Sequence, residues 1–313
     1  MAPALRDRSF ADEPVKVSIC CIAYNHGAYI ARTLQGFLDQ RCDFRVEVVI
    51  YDDASTDDTA AVIADHAARH PTIFRTMLQG ENLFSKGVNP YFAHVFPAAR
   101  GDFIAICDGD DYWDDPDKLA LQVAALESDP ALVLTYGAVQ GVDDAGAPLA
   151  YVGGVEQNLT GTELKRAPSI NTLTACFRNI FRGKPVPLYI RTATIGDLMV
   201  WGMLGHHGGG RFLRSLKPAH YRLRAGGLIS MQGREQQIML TAVAQMHLAA
   251  WHADQGDRAA SQDCLRAMAF LFNATGRGRL DYTGPDGAPP PPRRKRGYWE
   301  VRWLSLRRKL FGT

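Results

Sequence analysis

The segment Phe103-Ile-Ala-Ile-Cys107, followed at once by Asp108-Gly-Asp-Asp111, decides the fold class of this 313-residue chain. A short apolar run that ends in a polar turn is typical of a strand buried inside a sheet. Ligands of open parallel sheets bind beyond the carboxyl ends of the strands. We therefore expect residues 108–111, here called the acidic loop, to lie at a ligand-binding edge.

Two earlier segments show the same pattern. The predicted strand 17–22 ends in Tyr24-Asn25, and the predicted strand 46–51 ends in Asp52-Asp53. Strands that alternate with helices predict an α/β fold with a doubly wound, mostly parallel sheet. The apolar spacing predicts further strands at 73–78 and 132–139 and helices at 28–39, 57–69, 90–99 and after Pro116, with a hairpin turn at 143–146.

Clustered carboxylates repel one another unless a positive charge lies among them. Oxygen-rich sites suit hard cations such as Mg²⁺ or Mn²⁺, so the acidic loop is a candidate cation site. A solvated loop that caps the next helix is the alternative. Asp52 and Asp53 can likewise cap a helix or accept hydrogen bonds from a base or ribose. Tyr24 can stack on a base or pack within its turn.

Together these segments resemble the nucleotide-sugar-binding half of family 2 glycosyltransferases, which have the GT-A fold. The resemblance implies an inverting enzyme that moves a sugar from a nucleotide diphosphate donor, with a UDP-sugar expected, to a hydroxyl acceptor. The matching stretches are Val17-Ser-Ile-Cys-Cys-Ile-Ala-Tyr-Asn25, Val48-Val-Ile-Tyr-Asp-Asp-Ala-Ser-Thr-Asp57, and Asp108-Gly-Asp-Asp-Tyr-Trp113 with Pro116-Asp-Lys-Leu119.

The resemblance also implies roles for single residues. Tyr24 and Asp53, with Asp52 beside them, are expected to hold the base, and Asp108 is expected to contact the ribose. Asp108 and Asp110 form the DxD pair. A divalent cation, Mg²⁺ or Mn²⁺, would bridge this pair and the two phosphates, with Asp111 close by.

One segment departs from the family pattern of Tyr-Arg-x-His. Here the chain reads Tyr221-Arg-Leu-Arg224, so Arg224 replaces the histidine. Arginine cannot ligate a metal ion, but it can pair with phosphates through two hydrogen bonds. Either the cation site lacks one protein ligand, or Arg224 takes part of the phosphate role. Arg222 is a second candidate for contact with the phosphates, or a surface pair.

Transfer to a hydroxyl group needs a base for the incoming proton. The stretch Ile195-Gly-Asp197-Leu-Met-Val-Trp201 resembles the family segment that supplies it, so Asp197 is the candidate base. The alternative role for Asp197 is the N-cap of a helix over 198–205, and one residue can do both. A base behind the anomeric carbon implies direct displacement with inversion.

The rest of the chain suggests further units. Six cysteines without a CxxC pair are expected to be reduced and mostly buried, as in a cytoplasmic protein. The expected units are an N-terminal arm (1–14), a GT-A domain (15–230) with a nucleotide-sugar half (15–140) and an acceptor half (141–230), a helical hairpin (231–283), a proline-rich linker (284–292) and a basic tail (293–313).

The net charge of +2 hides an uneven distribution. Residues 293–313 hold eight basic residues and one acid, whereas the preceding 292 residues carry 27 basic and 32 acidic residues. Trp299, Trp303, Leu306 and Leu310 would share one stripe of a helix, which suits an anionic membrane surface. Packing on the chain's own domain or on a partner is the alternative. The acidic body argues against nucleic acid as a partner.

These features favour a cytoplasmic enzyme of polysaccharide or glycan assembly, peripheral on the inner face of a membrane. Its acceptor would be a lipid-linked glycan, a polysaccharide precursor or a protein. No apolar run is long enough to predict a secretory leader or a membrane span. A nucleotidyltransferase would need a phosphate-binding loop directly after the first strand, and a dinucleotide oxidoreductase would need a GxGxxG motif there. Residues 24–27, which follow that strand, form neither motif. A non-catalytic, transferase-like scaffold stays open as an alternative.

Overall fold

The computed structural model describes residues 2–8, 13–150, 153–224 and 233–275. The predicted α/β fold with a mostly parallel sheet is confirmed. The strands in these ranges are Val15–Ala23 (β1), Arg45–Asp52 (β2), Phe74–Leu78 (β3), Phe103–Ile106 (β4), Leu132–Tyr136 (β5), Val139–Val142 (β6), Cys176–Arg178 (β7), Gly209–Phe212 (β8) and Ala219–Arg222 (β9).

Seven of the described strands form one sheet in the order β3-β2-β1-β4-β7-β5-β8. Strands β3, β2, β1 and β4 run parallel, and so do β5 and β8. Strand β7 lies antiparallel between β4 and β5. The strands β6 and β9 form a separate parallel pair. The carboxyl ends of β1, β2 and β4 therefore meet at one edge.

Helices cover both faces of the large sheet. On one face, Phe37 and Leu119 share a buried core with Ile19 of β1. On the other, Phe96 and Trp201 pack with Cys20 of the same strand. The described α-helices are Ile30–Leu38 (α1), Thr59–Arg69 (α2), Phe96–Ala98 (α3), Lys118–Ser128 (α4), Gly161–Lys165 (α5), Leu188–Arg191 (α6), Gly196–Leu204 (α7), Arg234–Asp254 (α8) and Arg258–Asn273 (α9), and α3 continues a π-helix at Tyr91–Val95.

The prediction of a single strand over 132–139 is wrong. Strand β5 ends at Tyr136, and β6 begins at Val139 in the other sheet. A Cβ on Gly137 would lie 3.1 Å from the Leu216 side chain, which packs against this break. Residues on both sides of the break suit strands, and the glycine between them is the only local signal that the strand ends there. The predicted turn at 143–146 is confirmed by a hydrogen bond from Gly146 N to Asp143 O.

Helices α8 and α9 form the predicted hairpin and pack against the body that contains the large sheet. Lys165 pairs with Asp257 at 2.7 Å and Arg166 with Asp263 at 2.8 Å. The side chain of Leu248 packs against Gly202 of α7. The hairpin therefore shares the core on that face of the sheet. Its predicted final residues (276–283), the linker (284–292) and the tail (293–313) lie outside the described residues.

All six cysteines are buried, and no disulfide bond joins any two of them, as expected. Among the helices of the described ranges, none has the length and apolar character needed to cross a membrane.

Gly101, which precedes β4 and packs against β1, provides a test of the packing between these two strands. A Cβ on Gly101 would lie 2.5 Å from Ser18 N and 2.7 Å from Val17 C, whereas a Cβ on Gly80 meets nothing within 4 Å. Because backbone atoms cannot move aside locally, we expect Gly101→Ala to lower the free energy of unfolding by about 2 kcal/mol or more. Urea denaturation measures it, with Gly80→Ala as the matched control. Equal effects of the two substitutions would contradict the strand packing.

Candidate active site

The first two loops at the shared edge are joined by hydrogen bonds. Asn25 N donates to Ser55 Oγ at 2.9 Å, and Thr56 N donates to Asn25 Oδ1 at 2.8 Å. Gly27 N donates to Asp57 Oδ2 at 2.9 Å. Asn25 has a φ of 54° and Ala54 a φ of 60°, a region that residues other than glycine rarely adopt. The bonds between the loops hold this strained backbone in place.

Asp53 is buried and anchors a third loop. Its carboxylate accepts hydrogen bonds from Leu83 N at 2.8 Å and from Phe84 N at 3.0 Å. Asp52 instead accepts from Ser55 N at 3.0 Å within its own turn. The Tyr24 side chain lies at the end of β1 and is 42% exposed, so its ring is open to a ligand. The base-binding roles of these three residues stay predictions.

The acidic loop approaches β1 closely. Gly109 N donates to Ile22 O at 2.9 Å, and a Cβ at Gly109 would lie 2.9 Å from His26 Nδ1. The Thr33 hydroxyl lies 2.6 Å from Asp111 O and holds the loop from helix α1. A larger residue at position 109 would have to move the His26 ring, so glycine allows the close approach of the loop to β1.

Asp108 is partly buried, and the Tyr91 hydroxyl donates to its Oδ1 at 2.5 Å. Burial raises the pKa of Asp108 to about 7, with further increases from Asp110 and Asp197 that outweigh the opposing effect of Tyr91. Burial also raises the pKa of Asp111 well above its usual value, together with the charge of Asp110. No pattern in the sequence around Tyr91 indicates its contact with the acidic loop.

Asp110 forms an ion pair with Arg224. Arg224 Nε lies 2.8 Å from Asp110 Oδ2, and Arg224 Nη2 lies 2.7 Å from His26 Nε2. Burial is the main cause of the lowered pKa of His26, which keeps the ring neutral near pH 7 and lets Nε2 accept this bond. Sequence reasoning gave His26 no role, although it stands directly after the Tyr24-Asn25 pair.

Arg222 connects the acidic loop to the turn at 143–146. Its Nε donates to Asp110 O at 3.1 Å, and its Nη1 donates to Asp143 O at 2.7 Å and to Asp144 O at 2.8 Å. Its backbone N–H donates to Asp111 Oδ1 at 2.9 Å. The residue is buried, and these contacts explain its position without a ligand. A phosphate contact by Arg222 stays a prediction.

Asp197 lies in the first turn of helix α7, where its Oδ1 accepts a hydrogen bond from Leu198 N at 2.8 Å. The helix begins beside Asn89, whose Nδ2 donates to Ala193 O at 2.9 Å. The negative charge of Asp197 contributes to the raised pKa of Asp108. The structure thus brings the candidate base near the acidic loop, from a segment 89 residues further along the chain.

The three carboxylates of the acidic loop do not form a fitted metal site. Each accepts a hydrogen bond or ion pair from the chain itself, from Tyr91, from Arg224 or from the backbone of Arg222. Within the described ranges, no three His, Cys, Asp or Glu side chains are arranged to hold a metal ion. The divalent cation at Asp108, Asp110 and Asp111 stays a prediction.

Comparison with known proteins places this site in a family. Residues 18–183 match the profile of glycosyl transferase family 2. The chain belongs to this family. Members of family 2 with the GT-A fold typically use divalent cations.

Curated relatives of this family 2 chain match over part of their length. An uncharacterized protein of Mycobacterium tuberculosis is 45% identical over 131 residues, which is 42% of this chain and 37% of the relative. Chondroitin synthase of Escherichia coli is 32% identical over 130 residues, which is 42% of this chain and 18% of that protein. The matched segment therefore spans well under half of each of these relatives.

Solved structures resemble this family 2 chain over most of its length. Residues 1–349 of TarS from S. aureus, in complex with UDP-GlcNAc, superpose with a TM-score of 0.56 at 18% identity, covering 83% of this chain and 73% of TarS 1–349. The same region in complex with UDP gives a TM-score of 0.54. The likeness confirms the predicted GT-A fold.

The raised pKa of Asp108 leads to a pH-dependent prediction. Because this pKa is about 7 in the folded chain against an ordinary value of 3.8, the folded state binds the proton more tightly than the unfolded state. That stabilisation is fully present below about pH 4 and is lost as the pH rises through 7. We expect Asp108→Asn, which cannot ionise, to stabilise the ligand-free protein by about 2 kcal/mol at pH 8 and by less at pH 5.5.

Urea denaturation at the two pH values in EDTA measures this difference. Asp65→Asn is the matched control, because Asp65 is exposed and paired with Arg69 on the surface of α2. A gain for Asp108→Asn that is the same at pH 8 and pH 5.5 would show that its carboxyl does not titrate in this range.

Proposed function

We propose that this chain is an inverting glycosyltransferase that moves a sugar from a nucleoside diphosphate donor, a UDP-sugar, to a hydroxyl acceptor. One observation carries the proposal. The loops after β1, β2 and β4 meet at one edge of the sheet, and Asp197 lies near enough to the acidic loop to raise the pKa of Asp108. Donor-binding groups and a candidate base therefore share one site, in a chain of family 2.

The nucleobase of the donor would lie between the loops that follow β1 and β2. The exposed ring of Tyr24 offers a face for stacking, and Asp53 is a fixed carboxylate at the end of β2 that can accept an N–H of the base. The TarS structures with UDP and UDP-GlcNAc support uridine as that nucleoside. Asp108, which follows β4, would contact the ribose.

The transfer step is a single displacement. The acceptor oxygen forms a bond to the anomeric carbon while the bond from that carbon to the β-phosphate oxygen breaks, and the electron pair leaves with the diphosphate. Asp197 takes the proton of the acceptor hydroxyl. Attack from the face opposite the leaving group inverts the anomeric configuration. The charge that develops on the diphosphate needs a positive group nearby.

The proposed acceptor is a growing glycan. Chondroitin synthase among the relatives supports polysaccharide or glycan assembly. A lipid-linked glycan, and contact of residues 293–313 with an anionic membrane at the inner face, stay proposals, because those residues lie outside the described part. Sedimentation with anionic liposomes, with and without residues 293–313, separates a membrane-bound tail from one that binds a protein.

The base-stacking role of Tyr24 predicts a ring-dependent affinity. We expect Tyr24→Ala to weaken UDP binding about tenfold, because stacking of a base on an aromatic ring contributes about 1–3 kcal/mol. Tyr24→Phe keeps the ring and is expected to bind like the unchanged chain. Isothermal calorimetry measures both affinities. Equal loss in the two variants would point to the hydroxyl group rather than to stacking.

The base role of Asp197 predicts a separation of binding from turnover. We expect Asp197→Asn to bind UDP within about threefold of the unchanged chain but to release UDP from UDP-sugars about 100-fold more slowly, because the amide cannot accept the proton. A panel of UDP-sugars, with water or added glycans as acceptor, provides the assay. Undiminished UDP release by Asp197→Asn would remove this residue from the chemistry and leave donor binding intact.

A further inference from the structure

Strand β9 fixes the position of Arg224. Tyr112 and His220 exchange backbone hydrogen bonds of 3.2 and 2.9 Å, so β9 runs along the segment that follows the acidic loop. Leu223 N then donates to Val142 O at 2.9 Å. Arg224 follows directly. Its side chain is 19% exposed, which places the guanidinium at the margin of the site rather than in open solvent.

The guanidinium of Arg224 already pairs with one carboxylate oxygen of Asp110, the candidate metal ligand. Arg224 Nε donates a hydrogen bond of 2.8 Å to Asp110 Oδ2, and His26 Nε2 lies 3.4 Å from the same oxygen. A divalent cation bound to this oxygen would stand against a fixed positive charge and would have to displace it. Asp110, the central carboxylate of the acidic loop, therefore has its counter-charge from the chain itself.

The remaining donors of Arg224 suit an oxyanion. Nε and Nη2 are engaged by Asp110 and His26, whereas no acceptor among the described residues lies at Nη1. Guanidinium groups pair with phosphate oxygens through well-aligned hydrogen bonds and cannot lose their proton at physiological pH. His26, which accepts from Nη2, acts as a positioning residue that sets the plane of this group.

We propose that Arg224 holds the donor's diphosphate and stabilises the leaving group in place of a divalent metal ion. The inference rests on the proposed function, since it assigns the positive group that glycosyl transfer needs. As the bond from the anomeric carbon breaks, negative charge develops on the β-phosphate oxygen. The guanidinium of Arg224, already oriented in the resting site, stabilises this charge. Donor binding then does not depend on Mg²⁺ or Mn²⁺.

Calorimetry with UDP as the probe tests this directly. The full chain is titrated with UDP in EDTA and again with excess Mn²⁺. We expect similar affinities in the two conditions, within about threefold. Binding in Mn²⁺ alone would overturn the role of Arg224 and leave the proposed function standing. No binding in either condition would contradict the uridine donor, and this inference with it.

Variants at position 224 separate charge from metal ligation. Arg224→Gln removes the positive charge and is expected to weaken UDP binding in EDTA about tenfold or more, which corresponds to about 1.4 kcal/mol. Arg224→Lys keeps a positive charge without the planar group, so we expect its UDP affinity in EDTA to lie between those of the unchanged chain and Arg224→Gln. Arg224→His supplies a group that can ligate a metal, so we expect weak binding in EDTA that Mn²⁺ restores.

Arg211→Gln is the matched control. Arg211, in β8, also pairs with an aspartate at 2.9 Å, but that residue, Asp129, precedes β5 and lies at the opposite end of that strand from the site edge. Its loss is expected to leave UDP binding unchanged. Thermal unfolding of each variant shows whether the fold is retained. Unchanged UDP affinity of folded Arg224→Gln in EDTA would overturn the inference.

Discussion

The contact between strand β9 and the acidic loop is the constraint on which the site depends. Asp108, Asp110 and Asp111 are crowded into one turn, and the mutual repulsion of such charges is large where water is excluded. Arg224 pairs with Asp110, and the backbone of Arg222 donates to Asp111. A strand from the second half of the chain therefore neutralises a loop from the first half, and neither half forms the site alone.

The site keeps some electrostatic cost despite this contact. The pKa of Asp108 and that of Asp111 are both raised, mainly by burial, so the folded chain is less stable at pH 8 than its packing alone would make it. Carboxylates that are costly in the resting protein are typical of sites that bind or react. The well-packed cores on both faces of the sheet offset this cost.

Much of the fold and part of the site follow from local sequence. The strand ends at Tyr24, at Asp52 and at residues 108–111 share one edge because parallel strands point the same way, and that inference needs no contact information. The contacts of Arg224 with Asp110 and of Tyr91 with Asp108 span 114 and 17 residues. No periodicity encodes such contacts, since they depend on how loops close in space. The packing of Leu216 against the break at Gly137 is likewise a contact between residues far apart in the chain.

A fixed guanidinium and a bound metal ion differ in what they require of the rest of the site. The guanidinium carries half the charge of a divalent ion. Its effect on a leaving diphosphate therefore depends on its low exposure to water and on its fixed orientation. Strand β9 and the acidic loop shield the guanidinium from water, and its contacts with His26 and Asp110 fix its orientation. The advantage is that no ion has to bind before the donor does, because the positive group is already part of the fold. The same reasoning explains why His26 must be neutral. A charged imidazole could not accept from Arg224, so the guanidinium would lose one of the two contacts that hold its plane.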